Sequence, residues 1–159
     1  MAPPRWITTT SIVELRRIFV DTSAWLTLFN RNERYHEAAL RFHAGLGPAA
    51  VRVTTWGIVA ETYTWLRYHG SHLEAERWLY EETALQNQDV LEVVFPTLAT
   101  ELGIHRNLSR FVDQDLSYVD AFSLYVVQAR RDIDAIFAFD HHLALAGLPV
   151  FPDPLETRR

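Results

Sequence analysis

Cysteine and lysine are both missing from this chain of 159 residues. The lack of cysteine excludes a disulfide framework and any thiolate metal site, and it suits an intracellular, cytoplasmic protein. Because all fifteen basic residues are arginine, a P-loop lysine, a Schiff-base lysine and a phosphate-sensing lysine are also excluded. Long apolar runs are missing as well, so neither a signal peptide nor a membrane span is predicted.

The composition otherwise fits one globular domain with an ample hydrophobic core. Hydrophobic residues make up 48% of the chain and charged residues 22%, so order is expected except at the chain ends. The formal charge of −5 argues against non-specific DNA binding through bulk attraction. A nucleic-acid enzyme stays open, because cations fill a carboxylate-rich site before it meets phosphate. The seven histidines show no pairing with an acid at metal-ligand spacing.

Short apolar runs alternate with helical patterns along the chain. Continuous apolar strands that alternate with helices are typical of a mainly parallel sheet covered on both faces. We therefore predict one α/β domain over 17–152, preceded by a loosely ordered leader, 1–16, and followed by a tail, 153–159. The predicted strands are 17–20, 51–54, 90–95 and 135–140, and the main predicted helices are 35–46, 56–68, 72–84, 97–108 and 118–130.

Four acids fall where such a sheet exposes side chains for chemistry. Asp21 and Asp140 end the first and fourth strands, Asp120 lies in the first turn of a helix, and Glu61 lies about two turns into another. Each has a simpler interpretation. The three aspartates can cap helices, and Asp120 stands at capping-box spacing from Ser117. Glu61 is harder to dismiss, because its neighbours are mostly apolar and a glutamate is almost never fully buried without a partner.

Two strand-end aspartates together favour a metal site. Neighbouring strands bring such carboxylates close, and unneutralised carboxylates raise each other's pKa. A divalent cation removes this conflict, and oxygen ligands favour Mg2+ or Mn2+. Because Mg2+ keeps several waters and reaches phosphates, the natural substrate is a phosphodiester.

The chain resembles the PIN domain, and within that family the VapC-type toxins of bacterial toxin–antitoxin pairs. Four motifs carry the resemblance, in the family's order and at about its spacing, and they extend over the chain from residue 18 to about 152. They are Phe19–Ala24, Ile58–Thr62, Leu116–Ala121 and Ala138–Gly147.

The resemblance implies a three-layer α/β/α sandwich and a divalent-metal-dependent endoribonuclease. By position, Asp21, Glu61, Asp120 and Asp140 correspond to the family's acidic quartet, which holds Mg2+ or Mn2+. Thr22 or Ser23 matches the family's hydroxyl beside the first aspartate, where it supports the ligands or contacts the substrate. The implied reaction is hydrolysis of an RNA phosphodiester by a metal-activated water. Asp115, just upstream of Ser117, is interpreted as a solvated loop charge rather than as an outer acid of the site.

The resemblance also implies partners, namely a homodimer and a cognate antitoxin whose peptide lies in a groove beside the site. Aromatic residues of two helices are candidates for such a groove, although each can equally be an ordinary core residue. Arginines are the candidate contacts to RNA phosphates. The groove candidates are Trp25, Tyr35, Trp56, Trp65 and Tyr68, and the phosphate candidates are Arg16, Arg17, Arg52, Arg106 and Arg110.

Several alternatives stay open at this point. Haloacid dehalogenases and response-regulator receivers also place an aspartate after a first strand, but both need a lysine that this chain lacks. A PIN-like RNA-processing or DNA-acting nuclease outside a toxin–antitoxin pair is possible, and so is a catalytically silent binding module that keeps the acids as caps.

Overall fold

A computed structural model describes residues 12–152 of the chain. The tail 153–159 and residues 1–11 of the predicted leader lie outside the described residues. After a single 3-10 turn, Ile12–Glu14, the domain is built on five strands, which we name in chain order. They are β1 (Arg17–Val20), β2 (Val51–Thr55), β3 (Leu91–Val94), β4 (Ala135–Phe137) and β5 (Val150–Phe151).

The five strands form one parallel sheet in the order β3-β2-β1-β4-β5. β1 lies at its centre, where Phe19 pairs with Val53 of β2 and with Ile136 of β4. These three side chains are fully buried, as expected for a strand covered on both faces. The predicted parallel sheet is therefore confirmed.

Six α-helices and a second 3-10 turn, His142–Ala146, connect the strands. Right-handed crossovers place connections that run in opposite directions along the sheet on opposite faces. The connections from β1 to β3 therefore cover one face, and those from β3 to β5 cover the other, which confirms the predicted α/β/α sandwich. The helices are α1 (Thr22–Phe29), α2 (His36–Gly45), α3 (Trp56–His69), α4 (His72–Asn87), α5 (Leu98–Arg110) and α6 (Tyr118–Ala129).

Most predicted boundaries agree with the structure to within three residues, but two details differ. The fourth strand ends at Phe137, so Asp140 follows it by three residues instead of ending it. α5 begins at Leu98 instead of at Thr97, because Thr97 caps the helix by accepting a hydrogen bond from the backbone N–H of Thr100. Among residues 12–152, no helix has both the length and the apolar character needed to cross a bilayer.

Trp25 was a candidate for an exposed groove, and the structure places it in the core instead. Its side chain is 3% exposed and packs on Trp78, with 5.0 Å between the ring centroids. Trp78 is itself fully buried and donates a hydrogen bond from its indole N–H to the carbonyl of Val59. Through these contacts α1 and α4 pack against α3. Trp25 is therefore not part of an exposed aromatic groove.

Candidate active site

The candidate site lies at the edge of the sheet beside the point where the strand order reverses. The chain moves from β1 towards β3 on one side and reaches β4 and β5 on the other, so β1 and β4 flank the reversal. In open α/β sheets, ligands bind at the carboxyl ends of the strands beside such a reversal. Asp21 directly follows β1 at this edge, and Asp140 lies just beyond β4.

Asp21 is both a helix cap and a buried carboxylate. It is the N-cap of α1, and its Oδ2 accepts hydrogen bonds from the backbone N–H (3.0 Å) and the hydroxyl (2.6 Å) of Ser23. Only 5% of Asp21 is exposed. Burial raises its pKa despite the Ser23 hydrogen bonds, and the nearby charge of Asp120 raises it further.

Glu61 lies on α3 and faces the same edge. Its Oε2 accepts a hydrogen bond of 2.9 Å from the hydroxyl of Thr22, which belongs to the first turn of α1. Burial raises the pKa of Glu61, the Thr22 hydrogen bond lowers it, and the charges of Asp120 and Asp21 raise it again. The structure therefore brings Asp120 close enough to disfavour ionisation of both Asp21 and Glu61.

Asp120 completes a reciprocal capping box at the start of α6. Its carboxylate accepts a hydrogen bond of 2.8 Å from the backbone N–H of Ser117, and the Ser117 hydroxyl accepts one of 3.0 Å from the backbone N–H of Asp120. The simpler interpretation of this residue is thus correct, yet it does not compete with the chemical one. The box uses part of the carboxylate and holds it towards Asp21 and Glu61.

Asp140 joins the group indirectly through Ser23 and His142. The Ser23 hydroxyl, which donates to Asp21, also accepts from the backbone N–H of Phe139 (2.9 Å) and of Asp140 (3.3 Å). This hydroxyl ties the end of β1 to the segment after β4. The Asp140 carboxylate accepts a hydrogen bond of 3.0 Å from the backbone N–H of His142.

His142 is a residue of this site that the sequence pattern did not identify. Its Nδ1 lies 3.0 Å from Oδ1 of Asp140 and 3.9 Å from Oδ2 of Asp120, so the imidazole bridges two of the predicted acids. Asp140, His141 and His142 offer ligand atoms within 4.8 Å of one another. The prediction that no histidine pairs with an acid at metal spacing was therefore wrong. The run Asp-His-His directly after a predicted strand was the signal that pointed to it.

The site has no arginine partner among the described residues. Within 12–152, no arginine forms an ion pair with Asp21, Glu61, Asp120 or Asp140. Clustered carboxylates without an arginine suit a hard divalent cation, because carboxylate oxygens are the ligands that Mg2+ and Mn2+ favour. The donor set therefore fits the implied metal.

Two predicted phosphate contacts are engaged elsewhere. Arg17 pairs with Glu92 and Asp132 at the opposite edge of the sheet. Arg52 is half-buried and donates to the carbonyl of Ala50, also away from the acids. Asp115 is exposed and makes no side-chain hydrogen bond or ion pair with any described residue, in keeping with a solvated loop charge.

An apolar groove of about 480 Å³ opens beside the acids along α3. Three of the predicted groove aromatics line it, namely Trp56, Trp65 and Tyr68. Tyr35 does not, because it stacks on Phe139 with 5.5 Å between the ring centroids. Glu61 and Thr22 line the groove as well, so it is continuous with the acidic site.

Comparisons with known proteins agree with this architecture. Residues 18–147 match the family model of the PIN domain. Among solved structures, the chain is similar to VapC20 of Mycobacterium tuberculosis, a toxin that cleaves the sarcin–ricin loop. The two are 31% identical with a TM-score of 0.71, over 82% of this chain and 95% of VapC20. No curated protein matches the chain.

Proposed function

The chain belongs to the PIN-domain family, and from this premise we propose the reaction that it performs. It is an endoribonuclease that hydrolyses RNA phosphodiesters, and it acts as the toxin of a toxin–antitoxin pair in the cytoplasm. Asp21, Glu61, Asp120 and Asp140 hold a divalent cation, Mg2+ or Mn2+. The similarity to VapC20, a toxin that cleaves the sarcin–ricin loop and is 31% identical over most of both chains, supports the ribonuclease and toxin assignments.

One observation carries the proposal most directly. Asp21 and Glu61 have raised pKa values, chiefly through burial, and no described arginine compensates them. A fold retains such carboxylates at a cost to its stability, because a buried charge without a partner is unfavourable. Buried carboxylates with raised pKa values at the ligand-binding edge of a sheet are typical of a catalytic centre.

Two hydroxyl groups and one backbone N–H hold the carboxylates in place. The Ser23 hydroxyl donates to Asp21, the Thr22 hydroxyl donates to Glu61, and the backbone N–H of Ser117 donates to the Asp120 carboxylate. Such supporting contacts keep ligands in the geometry that catalysis needs, so that little reorganisation occurs during the reaction. We assign Thr22 and Ser23 to this supporting role.

The bound cation supplies a more acidic water and neutralises negative charge that builds up on the phosphate. The protein contributes the fixed carboxylates and the adjoining imidazole. His142 lies beside both Asp120 and Asp140, with its Nδ1 3.9 Å from the first carboxylate and 3.0 Å from the second. No side-chain nucleophile is required, and the chain has no cysteine or lysine to provide one.

The proposal is tested by RNA cleavage with the Asp21→Asn variant. Asparagine still caps α1, because its side-chain oxygen accepts the Ser23 hydrogen bonds, but it carries no charge for a cation. We expect cleavage in Mn2+ to fall by at least about 100-fold, since even supporting residues of metal sites contribute about 10–100-fold. Asp113→Asn is the matched control, because Asp113 is exposed and its one side-chain hydrogen bond among the described residues is to Gln114.

The same measurement distinguishes the alternatives. A silent binding module would show no cleavage by the native chain on any substrate. A DNA-acting nuclease would cleave single-stranded or duplex DNA and leave RNA intact. Equal cleavage by the native chain and Asp21→Asn would contradict the assignment of the site.

The partners are a cognate antitoxin and a second copy of this chain. Leu98 and Leu102 of α5 are 80% and 58% exposed, and Phe95 just before the helix is 58% exposed. Exposed apolar residues grouped on one helix support a protein-binding surface. Light scattering should give the mass of a dimer for the native chain and of a monomer for Leu98→Glu, whereas a native monomer would refute the homodimer.

A further inference from the structure

The aromatic groove along α3 has an inner end that belongs to the acidic site. Thr22 and Glu61 are shared between the two, so a group seated in the groove lies directly beside the reacting phosphodiester. The groove floor is rigid, because Gly57 of α3 packs closely on Val119 of α6. A Cβ at Gly57 would lie 3.0 Å from Cγ2 of Val119.

The charges that line the groove favour the base of a nucleotide over its phosphate. Among the described residues that line it there is no arginine, and Glu61 contributes the one carboxylate. A phosphate would therefore meet apolar walls and a negative charge. An uncharged nucleobase would meet neither obstacle, so the groove suits the base, and a cation held by the acids would attract the phosphate.

The walls of the groove are flat and aromatic. Trp56 is 51% exposed and Tyr68 is 79% exposed, which leaves ring surface open to solvent. Trp65 stacks on His69 with 4.7 Å between the ring centroids and 17° between the planes. Unpaired RNA bases are recognised by stacking on such side chains.

His69 adds a polar group to this wall. Its Nδ1 lies 3.1 Å from the carbonyl oxygen of Trp65, and a carbonyl only accepts hydrogen bonds. Nδ1 of the neutral ring therefore carries the proton, and Nε2 is left as an acceptor. An acceptor beside an aromatic platform fits the amino or imino group on the edge of a base.

We propose that this groove binds two unpaired nucleobases of the RNA substrate beside the scissile phosphodiester. One base stacks on Trp56 and the other on Tyr68, because these residues lie at opposite ends of α3 and their Cα atoms are about 18 Å apart along the helix axis. The inference rests on the proposed ribonuclease function and specifies its substrate as RNA with unpaired bases beside the cut. It gives Trp56, Tyr68 and His69 a role in substrate recognition.

The test is steady-state cleavage of a single-stranded RNA oligonucleotide by variants that remove the aromatic ring and keep an apolar side chain. We expect Trp56→Leu and Tyr68→Leu to raise KM on the order of 10-fold, as for other base–aromatic stacks, and kcat to change little. Trp56→Phe should restore most of the affinity. Tyr80→Leu is the control, because Tyr80 is 78% exposed on α4 and outside the groove.

An oligonucleotide with one abasic nucleotide, moved along the positions around the cut, locates the bases. The native chain should lose affinity at two positions, and each leucine variant should lose no more at one of them. An unchanged KM for both leucine variants would overturn the inference. It would also be overturned if those variants changed only the molar mass or antitoxin binding, because the groove would then be a protein interface.

Fluorescence separates this inference from the proposed function. In the Asp21→Asn background, the oligonucleotide should quench the emission of Trp56, measured as the difference from the same chain with Trp56→Leu. A fully abasic oligonucleotide should not. If the native chain cleaves no RNA but this quenching is seen, the proposed function fails and the base site stands; if quenching is absent, the base site fails.

Discussion

The two edges of the sheet carry the same acidic residue types in opposite electrostatic settings. At the edge where the strands begin, Glu92 and Asp132 pair with Arg17 and Arg130. At the edge where the strands end, Asp21, Glu61, Asp120 and Asp140 have no arginine partner among the described residues. The contrast separates acids that pair with arginine within the fold from acids for which we propose a bound cation.

The pKa values of the acids follow this division. Hydrogen bonds from Arg130 lower the pKa of Glu92, and they lower that of Asp132 to about 2. Burial raises the pKa of Asp21 and of Glu61. Ionisation therefore favours the folded state at the first edge and opposes it at the second.

Burial alone does not identify a site, as Glu82 demonstrates. This residue of α4 is 7% exposed, and burial raises its pKa too. Its carboxylate accepts hydrogen bonds from Gln86 and Thr83, and no second acid perturbs it. Glu61 differs because the charges of Asp120 and Asp21 add to its burial. The clustering of acids, more than the depth of any one of them, marks the candidate active site.

The largest expected effect comes from removing the charge of one acid at the edge where the strands end. Glu61→Gln should reduce RNA cleavage by about 100-fold or more, equivalent to about 2.7 kcal/mol of transition-state stabilisation. Cleavage of the same oligonucleotide in Mn2+ is the measurement. Glu82→Gln is the matched control with near-native cleavage, and a similar loss in both variants would deny Glu61 any special role.

A smaller effect is expected from breaking the ion pairs at the edge where the strands begin. Arg130→Ala removes the hydrogen bonds to Glu92 and Asp132 and should lower the free energy of unfolding by about 1–2 kcal/mol, because these acids are partly exposed and screened. Urea unfolding measures the change. Arg131→Ala is the control, since Arg131 is exposed and has no ion pair among the described residues. Native stability of Arg130→Ala would show that this network contributes nothing.

The smallest effect is the acid sensitivity of the same network. The folded pKa of Asp132 is about 2, below its ordinary value of 3.8, so its contribution to stability is present above pH 3.8 and is lost as the pH falls towards 2. Exposure limits the contribution to less than about 1 kcal/mol. Between pH 4 and pH 2, the unfolding free energy of the native chain should therefore fall more than that of Arg130→Ala, and parallel curves would contradict this.

Local patterns predicted much of this molecule. The apolar run before Asp21, the capping-box spacing of Ser117 and Asp120, and the apolar surroundings of Glu61 all depend on near neighbours in sequence. The structure confirms the parallel sheet and the cap at Ser117, because these features are fixed by backbone periodicity and by hydrogen bonds within one turn.

What local patterns did not predict depends on contacts between distant segments. His142, which follows β4 in sequence, lies 3.9 Å from Asp120, which precedes β4. The Arg17–Glu92 ion pair joins β1 to β3. Trp25 packs on Trp78 of α4, a partner that the apolar spacing of α1 does not identify. The backbone N–H of Asp140 likewise donates to the Ser23 hydroxyl, 117 residues away in sequence.

The most direct test of this account is thermal unfolding of the metal-free chain with increasing Mn2+. If the acids at the edge where the strands end hold a cation, the native chain is stabilised as the Mn2+ concentration rises. The stabilisation is about 2.7 kcal/mol at 100 times the dissociation constant. Asp113→Asn should respond like the native chain, and Asp21→Asn should lose most of the response. An equal response from Asp21→Asn would contradict the central claim that Asp21 and its neighbours form the metal site.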